Sequence, residues 1–287
     1  MRTRRMPVAA ALAGIAVLAV APSAAQGAGA ATLGRSVAVA QQVSIDAISH
    51  QAWNDLLARY VDESGMVNYR AWKASADDVR RLDQYLATIS SANPAIEASR
   101  EAKLAFWINA YNAVTIRGIL REYPTSSIRN HTAKVFGYNI WEDLLLHVGD
   151  RTYSLSQIEH DVLRRSGDPR IHFGIVCASR SCPRLLNTAY TASDVDRQLD
   201  ANGRHFFAQP GNFRYDARSG SIRVSMIFSW FGKDFGATPG AQMKRIAPYL
   251  TDAKARQLAE SGTARISFLE YDWGLNEQAA PRTASGR

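Results

Sequence analysis

The sequence predicts an α+β fold: a helix-rich single domain with a small, largely antiparallel sheet. Three observations lead there. Helical periodicities outnumber strand-like runs, the strand-like runs are short, and neither an internal repeat nor a Pro- or Ser-rich linker divides residues 50–276. With 287 residues, 46% of them hydrophobic, the chain is long enough to bury a substantial core.

Residues 1–30 read as a signal peptide. Arg2, Arg4 and Arg5 make a basic start, Pro7 to Val20 an apolar stretch, and Ser23-Ala24-Ala25 one cleavage site of several. The stretch is short for a membrane span, so the expectation is a periplasmic or extracellular protein with no span after cleavage. Residues 31–48 read as a linker or N-terminal arm, residues 49–277 as the globular domain and residues 278–287 as a disordered tail. Removing residues 1–25 takes away Arg2, Arg4 and Arg5, which brings the net charge from +8 to about +5. Acids and bases alternate through the remainder without a basic block, which argues against a nucleic-acid partner.

Within the domain, Trp53, Leu56, Leu57 and Tyr60 share one helical face, and Asp62-Glu63-Ser64-Gly65 breaks it. A second helix spans about Asp77 to Ile89. The longest, Arg100 to Tyr123, is apolar nearly all round, as a central buried helix is. Ser154 and Gln157 form a capping box for a helix reaching about Arg165. Ile171 to Val176 reads as a buried strand. A helix to about Ala208 follows from Ser193 and Asp194. Phe213–Tyr215 and Ile222–Val224 read as a hairpin. Helices over Met226–Asp234, Gly240–Leu250 and Thr251–Ser261 and a strand over Arg265–Glu270 complete the chain.

The chemistry-bearing segment is RIHFGIVCASRSCP (170–183), which holds both cysteines. The strand delivers Cys177 at its end, and Ser181-Cys182-Pro183 reads as a helix start or tight turn. Three readings follow. In an oxidising compartment Cys177 and Cys182 suit a small structural disulfide. At a helix start, Cys182 instead suits a nucleophile, with Cys177 as the alternative, His160 or His172 as base and Glu159 or Asn109 orienting it. In the third, His160, His172, Cys177 and Cys182 form a tetrahedral metal set, although their spacing matches no standard zinc pattern. No metal or other cofactor is assigned.

Arg180 and Ser181 are candidates to bind substrate or an oxyanion, and Asn112 to line the site beside Asn109. The plainer alternative makes Asn109 and Asn112 buried amides that brace loops. Likewise Glu159-His160 is either an acid–base pair or a packing pair, and His172 either a base or a core histidine. Trp107, Trp141, Trp230 and Trp273 read most simply as core or groove aromatics.

The segments AFWINAYNAVTI (105–116), SLSQIEHDVLR (154–164) and RIHFGIVCASRSCPRL (170–185) together resemble domain-of-unknown-function family 547. GMVNYRAWK (65–73) and FLEYDWGLN (268–276) resemble its bacterial members. The resemblance implies no established activity. Plant members tend to keep the Cys177-like position and carry Ser at that of Cys182. That suits either a disulfide partner dispensed with in a reducing compartment or a nucleophile changed from sulfur to oxygen, and implies that Cys182 is not an obligatory metal ligand.

Two functions therefore stand side by side. One is an exported enzyme with a thiol-centred cleft for hydrolysis or acyl transfer. The other is a non-catalytic cell-envelope binding module shaped by a Cys177–Cys182 disulfide. The partner class is an envelope small molecule, peptide or protein.

Overall fold

A computed structural model describes residues 30–133 and 138–279. The signal-peptide reading and the tail beyond Ala279 fall outside the described residues. The chain begins with β1 (Ala31–Leu33), followed by α1 (Gln51–Tyr60), α2 (Tyr69–Ala74), α3 (Ala76–Ile89) and α4 (Arg100–Glu122). Next come α5 (Ile140–Asp143), β2 (Leu144–Val148), β3 (Arg151–Ser154) and α6 (Leu155–Gln157). From α6 the chain continues as a π-helical turn over Ile158–Leu163. Then follow α7 (Ile171–Gly174), α8 (Val195–Ala208), β4 (Phe213–Asp216), β5 (Ser221–Val224), α9 (Ile227–Phe235), α10 (Pro239–Ile246), α11 (Ala253–Ser261) and β6 (Arg265–Phe268).

The class is α+β, but the sheet differs from expectation. There are two three-stranded sheets, ordered β1-β2-β3 and β4-β5-β6, and each mixes one parallel with one antiparallel pair. The hairpin over residues 213–224 is present. The strand after it, however, returns only after α9, α10 and α11, a helical crossover of the kind that brings strands together in parallel. The same holds for β1 and β2, separated by α1 to α5. The arm at residues 31–48 supplies β1 and also buries Ile45 and Ile48.

Side-chain caps set several helix starts, as their sequences require. Ser75 accepts from the Asp78 amide, Ser99 from Ala102 and Asp252 from Ala255. Ser154 and Gln157 close the expected capping box. The helix α4 is the central one, with Phe106, Ile108, Ala113, Val114 and Ile119 fully buried. Two apolar clusters result. The larger surrounds α4, and the smaller packs Phe173, Phe206 and Phe207 against residues of α9 to α11. Among the described residues no helix is long and apolar enough to cross a membrane.

The run Ile171–Val176 is not a strand. Backbone bonds from Ile171 to Asp168, His172 to Pro169 and Phe173 to Arg170 wind its first half into α7. Only then does the chain become extended, at Ile175. A buried apolar run is ambiguous between the two states until something satisfies its polar groups. Here Asn112 does so, donating to the Gly174 carbonyl at 2.9 Å and accepting from the Val176 amide at 3.0 Å. One side-chain amide occupies the place of a neighbouring strand.

Candidate functional site

The extended stretch ends at Cys177, and the chain then makes a sharp turn. Ala178 is buried and left-handed, with φ of 55°, a strained state for a residue with a Cβ. Ser179 pairs with Leu275, the Arg180 amide donates to the Gly274 carbonyl, and Ser181 exchanges two bonds with Asp272. The turn is thereby locked onto the segment Tyr271–Asn276. No helix begins at Cys182. Its amide donates to the Ser179 carbonyl within a tight turn, because the preceding residues are already committed to Asp272 and Gly274.

Both cysteines are free thiols and do not stand at disulfide distance, which corrects the expectation of a bridge. The turn at Ala178 closes the loop with the Cys177 amide against the Cys182 sulfur, at 3.0 Å, in place of sulfur on sulfur. The Tyr271 hydroxyl lies 3.2 Å from Cys182 Sγ and 3.4 Å from Cys177 Sγ. Ser179 Oγ lies 3.2 Å from Cys177 Sγ and donates to the Tyr271 oxygen at 3.0 Å.

Burial pushes the Cys182 thiol up. Hydrogen bonds from the Cys177 thiol, the Tyr271 hydroxyl and the Cys177 amide, with the Ser179 hydroxyl beside them, outweigh it, and the pKa falls to about 6. The same bond, together with burial, pushes the Cys177 thiol well above its ordinary value. The pair is therefore asymmetric: Cys182 is the thiolate and Cys177 a donor to it. Discrete donors do what a helix terminus was expected to do.

Cys177 and Cys182 line a cleft of about 290 Å³, together with Glu159, His160 and His172. Five of the candidate residues thus converge on one space. The π-helical turn that follows the capping box carries Glu159 and His160 into it; such turns often occur at functional sites. Glu159 accepts a hydrogen bond from the Tyr111 hydroxyl at 3.2 Å, and burial raises its pKa against the opposing pull of His160 and Tyr111. Arg164 donates to His160 Nδ1 at 3.2 Å, which assigns the ring proton to Nε2.

His172 is buried, with Nε2 2.8 Å from Asp234 Oδ2, and it stacks on Phe231 at 4.5 Å. Burial lowers its pKa despite the Asp234 carboxylate. Arg164 grips both oxygens of that carboxylate, at 2.7 and 2.8 Å, and holds Asp234 below the usual carboxylate range. Among the described residues neither imidazole is hydrogen-bonded to a sulfur. Also among them, no group of three or more His, Cys, Asp or Glu side chains is placed to hold a metal ion, so the metal set is set aside.

The remaining candidates stand outside the cleft lining. Asn109 exchanges two bonds with the Tyr190 backbone, at 2.8 and 3.0 Å, and Asn112 braces Gly174 and Val176. Both are loop braces. Ser181 is buried against Asp272, and the exposed Arg180 points to Asp272, at 3.9 Å. Trp141, Trp230 and Trp273 line the cleft, whereas Trp107 is a core residue.

Several groups at the site went unnoticed in the sequence: Tyr271, Ser179, Tyr111, Asp234 and Glu142. Tyr271 sits inside FLEYDWGLN, whose alternating aromatic and acidic residues were a usable signal. Its place over two sulfurs follows only from the pairing of Ser179 with Leu275.

Residues 96–207 match the model of the family described as "Protein of unknown function, DUF547". Three of the five resembling segments fall within that span; residues 65–73 and 268–276 lie outside it. No curated protein and no solved structure matches the chain.

Proposed function

From a chain that belongs, through residues 96–207, to the DUF547 family of unknown function, we propose a thiol-dependent hydrolase or acyl transferase with Cys182 as nucleophile. The observation that carries this reading is the cluster of donors on Cys182 Sγ, which holds its pKa at about 6 at the wall of a cleft. A thiolate present at neutral pH needs no imidazole to deprotonate it.

In the first step Cys182 Sγ bonds to the carbonyl carbon of an ester or amide. As the sulfur gives up its charge, the Tyr271 hydroxyl is the nearest donor for the oxyanion. The tetrahedral intermediate collapses as the leaving oxygen or nitrogen takes the proton of Glu159, whose raised pKa suits a general acid. A water then attacks the thioester and passes a proton back to Glu159, and Cys182 departs as thiolate. With an amine or alcohol in place of water the net reaction is acyl transfer. His160, His172, Glu142, Ser156 and Asn139 are further polar residues lining the cleft. The basic, apolar and small-residue start of the chain supports export, which puts the substrate among envelope small molecules, peptides or proteins.

The test is the rate of iodoacetamide alkylation of each cysteine against pH, read by mass spectrometry. Cys182 is expected to react with a midpoint at about pH 6 and Cys177 to stay unmodified over the same range. A Cys182 midpoint at the ordinary thiol value, about 8.5, overturns the reading. The exposed ring of Trp230 favours a second reading, a binding module without turnover. In that case Cys182→Ser leaves ligand affinity unchanged, and no activated ester is cleaved by the parent protein.

A further inference from the structure

The lining of the cleft runs against the charge of the chain. The protein carries a net charge of +8, yet among the described residues neither Lys nor Arg lines the cleft. Glu142 and Glu159 do, and each is held by a hydroxyl group, Ser156 on Glu142 at 2.5 Å and Tyr111 on Glu159, and not by a cation. Of the guanidinium groups that touch its walls, Arg164 is spent on both oxygens of Asp234, and Arg129 lies over the ring of Trp273.

Aromatic rings make up much of the remaining wall. Trp230, Tyr271 and Trp273 form a cluster with centroids 4.6 to 5.6 Å apart, and Phe231 and Trp141 extend it. The faces of such rings are electron-rich and attract cations, most strongly cations that shed water easily. One of them already does so in the fold, since the Arg129 guanidinium lies 5.2 Å from the centre of Trp273. Trp230 is 43% exposed and, with Tyr271 and Trp273 beside it, presents an aromatic surface on which a ligand can stack. A neutral sugar would stack on these rings but has no use for the Glu142 carboxylate, and an anionic substrate would be repelled by it.

We propose that the cleft takes an acyl compound bearing an ammonium group, seated against Trp230 and its neighbours with its charge toward Glu142. This specifies the substrate class of the reading above and rests on it for the acyl part. The cationic part stands on the rings and on Glu142 alone. A thiolate at Cys182 adds negative charge to the same space.

The test is calorimetric titration of the full chain with choline and, separately, with 3,3-dimethyl-1-butanol, its uncharged carbon isostere. Choline is expected to bind at least about tenfold more tightly. Trp230→Ala and Glu142→Gln, both on exposed side chains that leave the core intact, are each expected to reduce that preference severalfold. Equal or tighter binding of the alcohol, or a choline preference indifferent to both substitutions, overturns the inference. Repeating the pair of titrations on Cys182→Ser separates the two proposals. A choline preference that survives there, beside a thiol of ordinary pKa in the parent, retains the cation site and discards the thiol chemistry. A reactive Cys182 with no choline preference does the reverse.

Discussion

Tyr271 is the residue on which the properties of the thiol pair turn. Its hydroxyl touches Cys177, Cys182 and Ser179 at 3.0 to 3.4 Å, and burial with the two sulfurs raises its own pKa far above the usual phenol value. It therefore stays protonated and donates. Tyr271→Phe keeps the ring against Trp230 and Trp273 and removes only that donor. We expect the alkylation midpoint of Cys182 to rise by about one unit, the effect of losing one hydrogen bond to a thiolate. A variant whose midpoint stays where it was would show that the amide of Cys177 and Ser179 suffice. The candidate residues around Tyr271 were recognisable by type, since Cys, His and Glu carry chemistry wherever they cluster. Tyr271 and Ser179 were not, because hydroxyl residues are common and only distance gives them a role.

At the scale of elements, one histidine ties the start of α1 to α3. His50 precedes α1, and its Nδ1 lies 2.7 Å from the Tyr85 hydroxyl. Burial lowers its pKa to about 4. The unfolded chain takes up a proton here as pH falls below about 6.5, while the folded chain does so only near 4. Stability must then fall with acidification between those values, by up to about 3 kcal/mol. Urea denaturation at stepped pH values checks this, with His50→Gln expected to flatten that part of the profile. The helix periodicities, the capping box and the hairpin were all legible in sequence, because caps and amphipathic faces are local. The run Ile171–Val176 was not, because a side-chain amide on α4 decides its conformation.

Across the whole molecule, the cleft lies where the two apolar clusters meet. Tyr111 and Ile175 come to it from the larger cluster, Ile227 and Phe231 from the smaller. Contacts between distant segments hold that seam. Gly65, left-handed with φ of 83°, ends the turn after α1 and packs on the backbone of Arg184 and Leu185, just beyond Cys182. An added Cβ would sit 2.5 Å from Arg184 Cβ and 2.7 Å from the Leu185 nitrogen. Gly65→Ala is expected to cost about 2–4 kcal/mol by strain and overlap together, measured as a shift of the denaturation midpoint. A loss under about 0.5 kcal/mol would mean that the 184–185 backbone moves freely away.

Composition and pattern alone determined the helix-rich α+β class, the central position of α4 and the segment around the cysteines as the place to look. These rest on short-range rules of periodicity, capping and residue chemistry. Tertiary structure decided that Cys182 sits in a turn and not at a helix start, that the two sulfurs share the Tyr271 hydroxyl and are not bridged, and that Asn109 and Asn112 brace loops. It also decided the parallel pairings at both sheet edges. Each of these depends on partners more than forty residues away or on a single backbone torsion at Ala178. Neither leaves a periodic trace along the chain.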